Sequence, residues 1–119
     1  MPHCVLIVDD NIQLRRVIRG LVESAGLEAC GEAVDGLDAI DKARELKPDL
    51  IILDLSMPRM NGIDAARELS EICPDVPIVL YTMHADVIGR AGELPIGVTA
   101  VVAKTENLVA RIFESLALV

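Results

Sequence analysis

Five polar residues stand directly after short apolar runs, and their types suit phosphoryl chemistry. Asp9 and Asp10 follow Val5-Leu6-Ile7-Val8, and Asp54 follows Leu50-Ile51-Ile52-Leu53. Thr82 follows Ile78-Val79-Leu80-Tyr81, and Lys104 follows Thr99-Ala100-Val101-Val102-Ala103. Three carboxylates brought within a few ångströms repel and raise one another's pKa. A hard divalent cation, Mg²⁺ or Mn²⁺, relieves that repulsion and takes carboxylate, water and phosphate oxygens as ligands. The cation and Lys104 together would neutralise an incoming phosphoryl group, and the Thr82 hydroxyl could donate to one of its oxygens. A carboxylate can itself be the nucleophile, forming an acyl phosphate. Asp54 is best placed for that role, at the end of the central apolar run. Taken singly, each residue has a plainer explanation. Asp10 or Asn11 could be a helix N-cap, and an aspartate at a strand end is commonly a turn residue. The set gains meaning because one edge of one sheet would collect all five.

The elements that must position these residues are legible in the periodicity. The four apolar runs are continuous rather than alternating, which marks strands buried on both faces of a parallel sheet. Leu27 to Ala33 is weaker, with Glu28, Glu32 and Gly31 inside it, and reads as an edge strand. Between the runs the period becomes helical. Leu14, Val17, Ile18, Leu21, Val22 and Ala25 form one face, with Arg15, Arg16, Arg19 and Glu23 outside it and Gly26 as the left-handed cap. Further helices are predicted over Gly36 to Lys47, before Pro48, and over Gly62 to Ile72, before Pro74. Another carries Leu108, Val109, Ile112, Phe113 and Leu116, with Thr105 placed to cap it. The stretch Ala85 to Glu93 is helical at best irregularly, because Gly89 and Gly92 each cost about 1 kcal/mol against Ala. Five strands alternating with five helices give a doubly wound α/β sheet, whose sites lie at the carboxyl ends of the strands.

Composition narrows the remaining choices. The chain has 119 residues, which fit one domain spanning residues 1–119, with no repeat or linker inside it. A net charge of −8 argues against binding nucleic acid, since phosphate neutralisation needs an excess of Lys and Arg. Aromatic residues make up only 2%, too few for a base-stacking platform. Hydrophobic residues at 52% exclude intrinsic disorder. The N-terminus lacks a basic segment followed by a long apolar one, and the run from Leu94 to Ala103 is too short to cross a membrane. The expectation is a soluble cytoplasmic protein without a membrane partner. Cys4, Cys30 and Cys73 are expected to be free thiols there, a Cys4–Cys30 bridge between neighbouring strands being the alternative.

The segments Val5 to Asn11 and Pro48-Asp49-Leu50-Ile51-Ile52-Leu53-Asp54-Leu55-Ser56-Met57-Pro58-Arg59-Met60-Asn61-Gly62, followed by Thr82 and Lys104, resemble the receiver domain of two-component response regulators, the CheY-like fold. The resemblance covers essentially the whole chain. It implies a flavodoxin-like sheet of order 2-1-3-4-5. It further implies a phosphoacceptor signalling switch in which Asp54 accepts a phosphoryl group from a sensor histidine kinase or phosphotransfer protein. Asp9, Asp10, Asp54 and the backbone carbonyl of Ser56 would hold Mg²⁺. Thr82 would be the switch hydroxyl and Lys104 the phosphate-pairing ammonium, while Ser56 and His84 would tune phosphate lifetime. Such a module assists its own phosphorylation and dephosphorylation and is not otherwise an enzyme. Output, and any homodimer, would use the face of the fourth helix, fifth strand and fifth helix.

Met57 to Gly62, Arg15-Arg16 and Gly31-Glu32-Ala33-Val34-Asp35-Gly36 look most like the NarL/LuxR-type subfamily. Its members usually control transcription through a C-terminal helix-turn-helix domain. No such domain follows here, so the chain reads as an excised or a stand-alone receiver. Two departures stand out. Val101 occupies the position where the family usually has an aromatic switch residue. Thr105 follows Lys104 where proline is common, so a cis Lys–Pro bond cannot form. The segment Gly89–Gly97 is open between a partner surface and a degraded helix. Three other readings fit less well. A haloacid-dehalogenase-like phosphohydrolase needs a second aspartate where Ser56 stands. A flavodoxin needs a Ser/Thr-rich phosphate loop after the first strand. A pseudo-receiver would not keep all five key side chains.

Overall fold

The structure, a computed structural model, describes residues 3–54, 62–82, 98–103 and 108–116. Its strands are β1 (Cys4–Val8), β2 (Glu28–Ala33), β3 (Leu50–Asp54), β4 (Ile78–Thr82) and β5 (Val98–Ala103). They pair in parallel in the order β2-β1-β3-β4-β5, as expected from the resemblance. The described helices are α1 (Ile12–Ser24), α2 (Gly36–Leu46), α3 (Gly62–Ile72) and α4 (Leu108–Ser115). The last of these is the fifth helix of the sequence expectation. The irregular helix expected from Ala85, and with it the Gly89–Gly97 segment, lies outside the described residues, as does Thr105.

The continuous apolar strands behave as their composition requires. Every residue of Val5 to Val8 and of Leu50 to Leu53 is at most 1% exposed, because helices cover both faces of the sheet. Alternate residues feed two cores. On one face Leu6, Val8, Ile51, Leu53 and Leu80 meet the small residues Ala39, Ala43, Ala65 and Ala66 of α2 and α3. On the other, Val5, Ile7, Leu50, Ile52 and Tyr81 meet Ile18 and Val22 of α1 and Leu108 and Ile112 of α4. Tyr81 packs in this second core near the end of its strand. Val101 is half-buried at the margin of the first core, opposite Leu80 in the ladder.

Helix ends follow from local chemistry. The Asn11 side chain accepts hydrogen bonds from the backbone N–H groups of Gln13 (2.9 Å) and Leu14 (3.2 Å), so Asn11 rather than Asp10 caps α1. At the other end Gly26 has φ +84°, a conformation open to glycine at little cost. Its N–H donates to Glu23 O, and the Leu27 N–H donates to Val22 O, closing a Schellman motif. Asp35 caps α2 by accepting from the Asp38 N–H at 2.9 Å. Lys47, in the left-handed region at φ 49°, ends it before Pro48.

Two expectations need correction. The hydrophobic period placed Val17 and Leu21 on the buried face of α1 and Arg15 outside it. Instead Val17 is 57% and Leu21 39% exposed, while Arg15 is 9% exposed and faces the sheet with Ile18 and Val22. Rotating the helix this way gives the Arg15 guanidinium a backbone carbonyl and a carboxylate, and those partners offset the cost of burying its charge. The cysteines are the second correction. Cys4 and Cys30 form a disulfide across β1 and β2, with Cα atoms 5.3 Å apart, leaving Cys73 free.

A bulge in the β1–β2 ladder accounts for the Cys4–Cys30 pairing. Val5 pairs with Ala29 but Leu6 pairs with Gly31, so Cys30 is an extra residue. The extra residue also reverses the alternation along β2. Ala29 packs in the α1-side core and Ala33 in the α2-side core, although four residues apart they would share a face in a regular strand. Gly31 lies against α2, where an added Cβ would overlap Leu46. Glu32 is thereby aimed at α1.

Candidate functional site

The carboxyl ends of β1 and β3 are adjacent in the sheet, since Val8 pairs with Leu53. Asp9 continues the β1 ladder through its N–H to Ala33 O at 3.1 Å. Asp54 is the last residue of β3, opposite Tyr81. One carboxylate oxygen each from Asp9, Asp10 and Asp54 lies within 4.8 Å of the other two. Asp9 and Asp54 are buried, at 2% and 6% exposure, whereas Asp10 is exposed. The donor set is all oxygen and open to solvent on one side, which fits a hard cation that keeps some of its water.

The local sequence explains why Asp9 stays in place. Its Oδ1 accepts from the Asn11 N–H at 2.8 Å, so the turn that starts α1 also orients this carboxylate. Its backbone carbonyl accepts from Arg15 Nη1 at 2.7 Å. Arg15 Nε donates to Glu32 Oε1 at 2.9 Å, and Arg19 holds the other oxygen of Glu32 at 2.9 Å. Lys42 Nζ donates to the Glu32 carbonyl at 3.2 Å. Burial pushes the Glu32 carboxyl upward, but hydrogen bonds and charge from Arg15 and Arg19 outweigh it and hold it below the usual carboxylate range.

Thr82 ends β4, paired with Ala103, the residue before Lys104 in the chain. The carboxyl ends of β4 and β5 therefore lie at the same sheet edge as the carboxylates. Ser56, His84 and Lys104 lie outside the described residues, as does the Thr82 side chain. Sequence reasoning named the carboxylates but missed Arg15 and Glu32 as their neighbours. The available signal was the Arg15–Arg19 spacing of four on α1 with an acidic residue in the edge strand, which could have been read as an ion-pair stripe.

Residues 5–113 match the response regulator receiver domain family. The chain belongs to that family. Receiver domains are signalling modules of two-component systems. A chemotaxis protein CheY from Thermotoga maritima is 35% identical over 114 residues, covering 96% of this chain and 89% of its own. A protein-glutamate methylesterase/protein-glutamine glutaminase from Pyrococcus horikoshii is 44% identical over 79 residues, which are 66% of this receiver domain but 21% of that enzyme. Among solved structures, a LuxR-family two-component response regulator from Aurantimonas superposes with a TM-score of 0.88 at 30% identity, over 98% of this chain and 86% of that one. Its family agrees with the NarL/LuxR-type resemblance. A CheX–CheY–BeF₃–Mg²⁺ complex from Borrelia burgdorferi shares the fold, with a TM-score of 0.84 at 22% identity over 98% and 87% of the two chains.

The opposite end of this receiver domain carries a different feature. A cavity of about 340 Å³ opens between the carboxyl ends of α2 and α3, lined by Arg44, Lys47, Ile72, Cys73 and Asp75 among others. Burial pushes the Cys73 thiol up, with the Arg44 charge partly opposing it, so the thiolate needed for reaction is scarce near neutral pH. Among the described residues, no helix is long and apolar enough to cross a membrane.

Proposed function

We propose that the chain is a phosphoacceptor switch whose nucleophile is Asp54. The observation that carries this reading is the convergence of Asp9, Asp10 and Asp54, with a ligand oxygen of each within 4.8 Å of the others, at the end of a buried central strand. Asp54 attacks the phosphorus of a phosphohistidine. A carboxylate oxygen–phosphorus bond forms, the phosphorus–nitrogen bond breaks, and the imidazole leaves with the electron pair and takes up a proton. The donor is a sensor histidine kinase or phosphotransfer protein. Asp9, Asp10, Asp54 and the Ser56 carbonyl hold Mg²⁺, or Mn²⁺, which when bound supplies neutralising charge for the phosphoryl oxygens. Lys104 pairs with the phosphoryl group and Thr82 donates to it, while Ser56 and His84 set access for the hydrolytic water.

The strand placement of Thr82 and the chain position of Lys104 beside it support these roles. The 119 residues act as one domain in the cytoplasm, and the regulated output is transcription through an effector. With Val101 in place of an aromatic, output travels by backbone or fourth-helix movement on the face of the expected fourth helix, β5 and the Leu108–Ser115 helix, where a homodimer would also form.

The test is direct. Acetyl phosphate or phosphoramidate with Mg²⁺ should add one phosphoryl group, seen by intact mass, and Asp54→Asn should abolish it. An undiminished adduct on Asp54→Asn, or none on the wild-type chain, overturns the reading.

A further inference from the structure

We infer that Arg15 is a positioning residue for the acidic pair: by clamping the Asp9–Asp10 peptide to Glu32 it fixes where those two carboxylates present their oxygens to a divalent cation. This rests on the proposed cation site and deepens it. The peptide unit is planar, so holding the Asp9 carbonyl also fixes the plane and direction of the Asp10 N–H. Arg15 holds that carbonyl at 2.7 Å through Nη1 and, through Nε, is itself held by Glu32 at 2.9 Å. Glu32 is anchored in turn by Arg19 and lies in β2, the strand that also receives the Asp9 N–H. The Asp9 backbone is thus gripped on both sides of its Cα. A guanidinium suits the task because its rigid fork presents two donors at once, which an ammonium cannot copy.

The bulge at Cys30 completes the argument. In a ladder without the bulge the same sequence would pair Glu32 with Val8 and turn it toward α2, and Arg15 would be buried against the sheet without its carboxylate. The geometry therefore ties the site to a distortion in an edge strand that contributes no residue to the acidic cluster itself.

Electrostatics and positioning make opposite predictions, which allows a clean test. Removing a positive charge near three carboxylates should tighten cation binding if Coulomb attraction alone matters. If Arg15 positions the pair, Arg15→Met should weaken binding despite the lost charge, on the order of tenfold as for other residues that orient metal ligands. The measurement is a Mn²⁺ titration followed by the electron paramagnetic resonance signal of the free ion, with circular dichroism of each variant in chelator. Arg15→Lys should fall between wild type and Arg15→Met. It also keeps the test usable should Arg15→Met fail to fold. Arg19→Met removes an equal charge from the same network but leaves the Asp9 carbonyl its donor, so it should weaken binding less than Arg15→Met does. Equal or tighter Mn²⁺ binding by folded Arg15→Met, or by Arg15→Lys where that variant stands in, overturns the inference. A wild-type chain that binds no Mn²⁺ instead overturns the cation site itself, and the inference with it.

Discussion

The two ends of the β1–β2 pair are fastened by opposite kinds of chemistry. At the amino end, Cys4 and Cys30 form a covalent link with a sequence separation of 26. At the carboxyl end, Arg15 and Arg19 grip Glu32 and the Asp9 carbonyl through ion pairs and hydrogen bonds. The first fastening is indifferent to salt and pH but open to reductants. The second is indifferent to reductants but sensitive to charge. The difference matters for function because only the second touches the residues at the acidic site. Stability and site geometry should therefore be separable by choosing which end to break.

The largest expected effect is at the covalent end. Reduction, or Cys30→Ser, should lower unfolding free energy by about 3–4 kcal/mol through freedom returned to the unfolded chain. Denaturant titration with and without dithiothreitol measures it. Mn²⁺ affinity in the same samples should not change, and a parallel loss would show that the two ends are coupled. Next, Arg15→Met should cost about 1–3 kcal/mol, mainly from leaving the Asp9 carbonyl without its donor. Equal stability in that variant would mean that water replaces the guanidinium.

A smaller effect lies between the two ends. Gly20 sits inside α1 with nothing within 4 Å of an added Cβ. Gly20→Ala should therefore raise stability by about 1 kcal/mol, read from the same titrations, and leave both ends unaltered. The subtlest test uses pH. Glu32 titrates lower in the folded chain than unfolded, so its contribution is full above the usual carboxylate value of 4.5 and disappears as pH falls through the lowered folded value. The stability gap between wild type and Glu32→Gln should narrow in that acid range, while the gap between oxidised and reduced chains should not follow it. A wild-type-to-Glu32→Gln gap that stays constant through the acid range would deny the ion pairs their role.

Much of this architecture is readable in the residues alone. Continuous apolar runs such as Leu50 to Leu53 can only be strands covered on both sides, and the residue after each must sit at a sheet edge. That reasoning singled out Asp9, Asp10 and Asp54 as neighbours. The hydrophobic period gives the wrong face of α1 because it treats every arginine as solvent-seeking. It cannot see a carbonyl and a carboxylate waiting beneath the helix. The expectation of free thiols at Cys4 and Cys30 fails for a related reason, since their pairing depends on where one extra residue enters a ladder.

The sequence by itself determined the strands, their burial, the sheet-edge placement of the acidic residues and the ends of α1 and α2. Each of these follows from neighbours a few positions apart: continuous hydrophobicity, Asn11 as an acceptor, Gly26 with its free φ. The tertiary structure decided the rotation of α1, the parity of β2 and hence the direction of Glu32. Those depend on contacts between residues distant in the chain, where one inserted residue sends a side chain to the opposite face. The acidic cluster is thus named by local pattern, while the grip on it is set by a bulge that no local pattern reveals.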